Sequence, residues 1–267
     1  MFKIYNTKDV FLAIGIPTYK TITGNFLDFI CESIGLLYEH KINFIFINNH
    51  DDALVTRSRN DIISCFYELT KQPRYKKLTH FLFLDSDIHT SPHNILKLIE
   101  NTQLYDIHLT GAYVPLKGFT DTIIQECQRF NLEREKKEVI YLDPDYKLQK
   151  VSVLTTGMLL FTTQLIHDLV RDAKINKFWY HNRERNSRVY DLFQTSIIEY
   201  PDENNNKYRE YLSEDWYICN TAKKLGYDVI ADHTITIWHR GNHDYHFPYN
   251  EDYPKIIQCR NILEHSQ

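Results

Sequence analysis

Paired cysteines are missing from this chain. Cys31, Cys65, Cys127, Cys219 and Cys259 are scattered, odd in number and nowhere spaced as Cys-Xaa-Xaa-Cys. That excludes a disulfide framework and a cysteine-built zinc site, and it predicts reduced, mostly buried thiols. Basic charge is not in excess either. With 31 Lys and Arg against 35 Asp and Glu, the net charge is -4, and the clustered basic surface of a nucleic-acid binder is not expected. The charged run Glu133 to Glu138 mixes both signs and reads as a solvated helical face. No apolar run reaches membrane length and Met1 to Asn6 has no apolar leader core. The expectation is a soluble, cytoplasmic protein without a membrane span. Glycine is scarce, 8 in 267 residues, and no glycine-rich loop follows the first apolar run to cradle a triphosphate.

What is present is a large apolar fraction, 43 % hydrophobic with 14 % aromatic, enough for a sizeable core. The first half alternates apolar runs with amphipathic stretches. Val10 to Ile16 predicts a strand closed by Pro17, and Phe26, Phe29, Ile30, Ile34 and Leu37 then recur at helical spacing. Ile42 to Ile47 predicts a second strand, with a helix marked by Ile62, Ile63, Phe66 and Leu69. A third strand runs into Asp85, Ser91-Pro92 supplies an N-cap and a first-turn proline for the next helix, and Asp106 to Thr110 predicts a fourth strand. Strands alternating with helices imply βαβ units and a mainly parallel sheet. After about Gly118 the period is lost and Asp143-Pro144-Asp145 signals a turn. Val151 to Leu154 and Met158 to Phe161 read as strands around Thr155-Thr156-Gly157. Residues 173–212 form a polar, aromatic stretch with an exposed loop at 202–206. Ser213 caps a helix ending near Gly226, Val229-Ile230 and Ile235 to Ile237 read as short strands, and a final helix is expected from Pro254 to Leu263. With no repeat and no dividing linker, a single domain over 1–267 is expected.

Four clusters carry the chemistry. His80 to Leu84 is an apolar run that ends in Asp85-Ser86-Asp87, carboxylates at the carboxyl end of a buried strand, where open α/β sheets bind ligands. Two carboxylates so close repel unless a cation lies between them, and hard oxygen ligands suit Mg²⁺ or Mn²⁺. A solvated Asp-Ser-Asp turn is the plainer alternative. Arg57 and Arg59, in Thr56-Arg57-Ser58-Arg59-Asn60, open the second helix and would face a diphosphate in bidentate fashion. Glu214 and Asp215 lie in the first turn of a helix, where the dipole keeps a carboxylate ionised and fit to act as a base. His239 follows the apolar run 235–238 and offers an imidazole to a metal, with His233, His243 and His246 as competitors.

In this order the motifs resemble a GT-A fold glycosyltransferase of the family 2-like group, and Arg57 to Asn60 is also similar to a stretch of the mannosyltransferases of the fungal mannan polymerase complex. The resemblance covers roughly residues 10–245. It implies an α/β fold with a mainly parallel central sheet flanked by helices, a donor-binding half at about 10–118 and an acceptor-binding, catalytic half at about 150–250. It implies transfer of a sugar from a nucleotide diphosphate sugar, a uridine diphosphate sugar favoured, to a hydroxyl of a glycan or other acceptor, aided by Mn²⁺ or Mg²⁺. Asp87 matches the direct metal ligand, Asp85 the carboxylate near the ribose and metal shell, with Ser86 beside it on the donor side, and His239 the C-terminal metal ligand. Pro17, Thr18 and Tyr19 match the loop against the nucleotide base. Thr156 and Gly157 match the approach to donor sugar or acceptor, with Tyr113 and Lys117 as further donor contacts. Asp215 matches the base of inverting members and Glu214 an acceptor contact. Trp179, Tyr180, Tyr190 and Phe193 would cover the acceptor. Two departures stand out. The Gln-Xaa-Xaa-Arg-Trp motif of processive synthases is absent, and only Asn48-Asn49 and Asp51-Asp52 stand where an acidic pair often follows the second strand. A retaining transferase, a nucleotidyltransferase and a non-catalytic sugar-nucleotide or glycan-binding protein are the alternatives.

Overall fold

The computed structural model describes residues 9–115, 147–182, 186–201, 207–240 and 244–246. Lys117, the 133–138 charge run, the 143–145 turn, the 202–206 loop, His243, the helix expected at 254–263, Cys127 and Cys259 lie outside the described residues.

Two cores share one sheet because its inner strands are apolar on both faces. Strand β3 (His80–Leu84) is buried along its whole length. Phe81 and Phe83 enter one core and Leu82 and Leu84 the other, as the alternation of side chains along a strand requires. Strand β1 (Phe11–Thr18) divides in the same way, Ala13 to one side and Leu12, Ile14 and Ile16 to the other. With β2 (Asn43–His50), β5 (Leu109–Gly111), β6 (Leu148–Val151), β7 (Met158–Thr162) and β12 (Val229–Asp232) they form a seven-stranded sheet in the order β2-β1-β3-β7-β5-β12-β6. Helices α1 (Gly24–Glu39) and α3 (His93–Leu104) pack on one face. Helices α2 (Val55–Thr70), α4 (Thr163–Ile175) and α5 (Glu214–Lys224) pack on the other.

The expected mainly parallel sheet is corrected to a mixed one. β1 pairs in parallel with β2 and β3, and β5 with β12. β7, however, inserts antiparallel between β3 and β5, and β6 is antiparallel to β12. An apolar run reports burial on both faces but not strand direction, and β7 has the same composition as a parallel strand.

Several boundaries also differ from expectation. Pro17 lies inside β1, paired with Asn49. Pairing with β3 has already ended at Gly15, so β1 is a free edge on that side, the setting in which a strand tolerates proline. α3 starts at His93 with Pro92 as its cap residue and no side-chain cap bond, so Ser91 does not act as the cap. The capping hydroxyls are Thr23 on α1 and Thr162 on α4. The fourth strand is shifted to Leu109–Gly111. Ile235 to Ile237 is not a strand; pairing begins at β13 (Trp238–Arg240), while Ile235 and Ile237 are buried in the core under α1 and α3. Cys219 is buried as expected, but Cys31 and Cys65 are exposed. α5 ends at Lys224, and the chain closes it over Gly226, near the expected end. There Gly226 N–H bonds the Lys223 carbonyl and Tyr227 N–H the Ala222 carbonyl, with Gly226 at φ 90°, the closing geometry that favours glycine.

The aromatic stretch is largely structural. It forms the hairpins β8 (Trp179–Asn182) with β9 (Ser187–Tyr190), and β10 (Ser196–Pro201) with β11 (Lys207–Leu212). Tyr190 and Phe193 are buried, the Phe193 ring edge-on to Phe83 at 5.3 Å, so neither is free to cover an acceptor. Burying such a ring contributes about 1.5–3 kcal/mol. Trp179 is exposed and lies under the Arg188 guanidinium at 4.2 Å.

Candidate active site

β1 and β3 run in parallel, so the residues that follow them emerge at one edge of the sheet. Asp85 comes directly after β3, and its N–H donates to the Gly157 carbonyl at 2.9 Å. That contact draws the start of β7 close. A Cβ on Gly157 would stand 2.9 Å from Val114 Cγ2 and 3.4 Å from Asp85 Oδ2, so glycine here permits the approach. After the turn that holds the half-buried Ser86, β4 (Ile88–His89) pairs antiparallel with β13. The Arg240 N–H bonds the Asp87 carbonyl at 2.7 Å. This pairing brings His239 back to Asp87, with Nε2 3.4 Å from Asp87 Oδ2. His239 Nδ1 meets the Pro115 carbonyl at 2.5 Å. A carbonyl only accepts, so Nδ1 carries a proton, the arrangement that fixes the tautomer of metal-binding histidines.

Arg59 is at the centre of the site. It belongs to the first turns of α2 and is buried. Its Nη2 lies 3.1 and 3.0 Å from the two Asp85 carboxylate oxygens. Its Nη1 lies 2.8 Å from Glu214 Oε1 and 3.4 Å from Asp215 Oδ1. Burial alone would lower its pKa, but the coulombic pull of Asp85, Asp215 and Glu214 outweighs it and holds the guanidinium charged. Breaking such a buried pair costs about 3–5 kcal/mol, because it strands a charge. Arg59 was expected to face a diphosphate; here both of its amino groups are taken up by carboxylates.

Asp215 lies in the first turn of α5, after Ser213 at the cap position. Its Oδ1 accepts from the Thr156 N–H at 3.1 Å and from the Thr156 hydroxyl. Burial is the largest influence on it and pushes its pKa up to about 6. Glu214 and Asp85 add to that rise, while Arg59 and the Thr156 hydroxyl oppose it. The result is a partly buried carboxylate poised near neutrality, as a general base requires.

The remaining expected residues are spread more widely. Pro17 and Thr18 end β1 at the same edge, Thr18 buried and Tyr19 exposed. The Lys20 ammonium sits 4.9 Å from the Tyr19 ring centre, and Lys20 itself adopts φ 65°. Arg57 is turned away to Asp52 in a bidentate pair at 2.8 and 2.7 Å, half open to solvent. The Tyr113 ring lies against His233 at 5.3 Å. Asp85, Asp215 and Glu214 are thus brought together, as are Asp87 and His239. Among the described residues, no group of three His, Cys, Asp or Glu side chains is placed to hold a metal ion.

Two polar residues make bonds that the sequence did not reveal: Thr156, expected at the approach to the donor sugar or acceptor, and Asn60. Thr156 is fully buried and serves Asp215 with both of its donors. Asn60 is buried too. Its Oδ1 accepts the N–H groups of Leu192 and Phe193 at 2.9 and 2.8 Å, and its Nδ2 donates to Asp191 at 2.7 Å. Asn60 thereby ties the aromatic stretch to α2. The available signal was a short amide directly after an arginine, on a face otherwise destined for the core.

No family model matches the chain, and no curated protein matches it. Among solved structures, it is similar to the crystal structure of a glycosyltransferase involved in the glycosylation of the major capsid of PBCV-1, with 14 % identity and a TM-score of 0.31. The match covers 58 % of this chain and 63 % of that one, less than two thirds of its length.

Proposed function

We propose that this protein transfers a glycosyl group from a nucleotide diphosphate sugar to an acceptor hydroxyl, with inversion at the anomeric carbon. The observation that carries the reading is the convergence of Asp85, Glu214 and Asp215 on Arg59 at the carboxyl edge of the sheet, with Asp87 and His239 adjoining. Asp215 takes the acceptor proton. The Thr156 N–H, the Thr156 hydroxyl and Arg59 all address Oδ1, which fixes the carboxylate before reaction and spares reorganisation during it. Glu214 stands beside it to orient the acceptor. Tyr19, exposed at the end of β1, is the surface on which the base of the donor stacks, and a uridine base is the one favoured.

Asp87 and His239 fit a divalent cation, Mn²⁺ or Mg²⁺. With its Nδ1 proton given to the Pro115 carbonyl, a neutral His239 would turn its Nε2 lone pair toward the Asp87 carboxylate, and a cation between the two would satisfy both. One or two protein ligands suffice where substrate phosphates supply the rest. When bound, the ion would neutralise charge developing on the departing phosphate oxygen.

The test is turnover of a panel of nucleotide sugars with and without Mn²⁺, paired with calorimetric titration of Mn²⁺ plus uridine diphosphate. Release of nucleotide diphosphate and an inverted product anomer are expected. Asp87→Asn should lose most of the Mn²⁺-dependent affinity for the nucleotide. Absence of turnover across the panel, or a retained anomer, overturns the assignment of Asp215.

A further inference from the structure

The sequence places Arg59 among donor-binding residues and Asp85 among metal ligands. We propose instead that Arg59 is a positioning residue for the base, joining the end of β3 to the first turn of α5, and that Asp85 acts through it. The inference rests on the transfer reading above and deepens it.

The geometry separates the two ends of one guanidinium. Nη2 is spent on both oxygens of Asp85, at 3.1 and 3.0 Å, and Nη1 on Glu214 and Asp215. Nε is buried with no hydrogen-bond partner. The side chain is only 5 % exposed, so little of it is open to a ligand. Three carboxylates against one cation leave a surplus of negative charge. Without Arg59 they would repel, and the first turn of α5 would swing away from β3. The planar fork matters as much as the charge. Lysine offers donors from a single point and cannot bond Asp85 on one side and the α5 pair on the other. Asp85 anchors the fork, since its own N–H is fixed to Gly157 and its two oxygens orient Nη2. The positioning of Asp215 therefore depends on a residue that need touch neither donor nor acceptor.

The test compares Arg59→Lys, Asp85→Asn and the double variant with wild type. The measurements are kcat, the donor KM and the affinity for uridine diphosphate in the presence of Mn²⁺. Misplacing a catalytic group by about an ångström costs roughly 10²-fold, so each single variant should lose kcat on that order. Nucleotide affinity should stay within about threefold of wild type, because an interaction that positions the base leaves ground-state donor binding alone. Residues acting through one another are non-additive, so the double variant should be no slower than Arg59→Lys alone. A nucleotide affinity that falls with kcat in Arg59→Lys would return Arg59 to the diphosphate. A loss of Mn²⁺-dependent affinity in Asp85→Asn equal to that in Asp87→Asn would make Asp85 a metal ligand. Multiplicative losses in the double variant would make the two residues independent. Any of these overturns the proposal. Should Arg59→Lys fail to fold, Asp85→Asn, at a carboxylate 25 % exposed, decides the matter by the same measurements. A wild-type protein inactive on every nucleotide sugar removes the transfer reading and this one with it, whereas active wild type with an unimpaired Arg59→Lys removes only this one.

Discussion

His80 is buried and Asp215 partly so, and desolvation moves these two titratable side chains in opposite senses. Asp215 is pushed up from 3.8 to about 6, so the folded protein holds that proton more tightly than the unfolded chain. Its contribution to stability is therefore present below pH 3.8 and lost as pH rises through about 6. Asp215→Asn should accordingly be more stable than wild type above pH 6, and the two urea midpoints should converge as pH falls toward 3.8. In activity the sign reverses under the proposed role of Asp215, because a base must be ionised. The kcat of the wild type should rise through an apparent pKa near 6. Asp215→Asn should lose about 10²–10⁴-fold in kcat with nucleotide affinity kept. His80 opens β3, with its ring nitrogens facing the hydroxyls of Thr79 and Thr102. Burial lowers it from 6.5 to about 4, so its stabilising share is intact above pH 6.5 and falls away as the pH drops to 4. His80→Gln should flatten that part of the stability profile, measured by urea titration at successive pH values.

At the scale of elements, two glycines mark close approaches beside β7, Gly111 against backbone and Gly157, just before the strand, against side chains. A Cβ on Gly111 would lie 2.5 Å from the Met158 carbonyl oxygen, a backbone atom with little room to give. On Gly157 the nearest atom is a Val114 methyl at 2.9 Å, which a side-chain shift can relieve. Gly111→Ala should therefore destabilise at the upper end of the roughly 1–3 kcal/mol typical of overpacking, and Gly157→Ala at the lower end. Gly157→Ala should cost more in kcat than in stability, because it crowds Asp85. Thermal melts and kinetics on both variants check this. The main elements were legible in the sequence: β1, β2, β3 and α1, α2, α5 follow from uninterrupted apolar runs and helical spacing. Strand direction was not legible, because β7 owes its antiparallel course to partners far away in the chain. The clustering of Asp85 with Glu214 and Asp215 could be anticipated from motif order. The burial of Arg59 could not, because a charged residue at a helix start is ordinarily solvated, and only the three carboxylates around it make the interior tolerable.

Across the whole molecule, the sheet order departs from the chain order at β7. It separates β3 from β5 and, among the described residues, carries the strand pairing between the β2-β1-β3 side and the β5-β12-β6 side of the sheet. A fragment ending at residue 150 should therefore fail to give a cooperative unfolding transition, although it contains β1, β2, β3 and β5. The full chain should show one. Circular dichroism melts on both would show whether the sheet is a single cooperative unit.

The late arrival of β7 also matters while the protein is being made. As residues 85–157 leave the ribosome, β3 has its β1 neighbour, but the backbone edge that β7 will cover, from His80 to Leu84, waits for Met158 to Thr162 to emerge. An unpaired apolar strand edge is a template for association with other chains, and slow non-local pairing prolongs its exposure. Nascent chains arrested in this interval should bind holdase chaperones strongly and release them once β7 has cleared the exit tunnel. Synonymous codons that slow translation just before residue 158 should then lower the soluble yield of an unchanged amino-acid sequence.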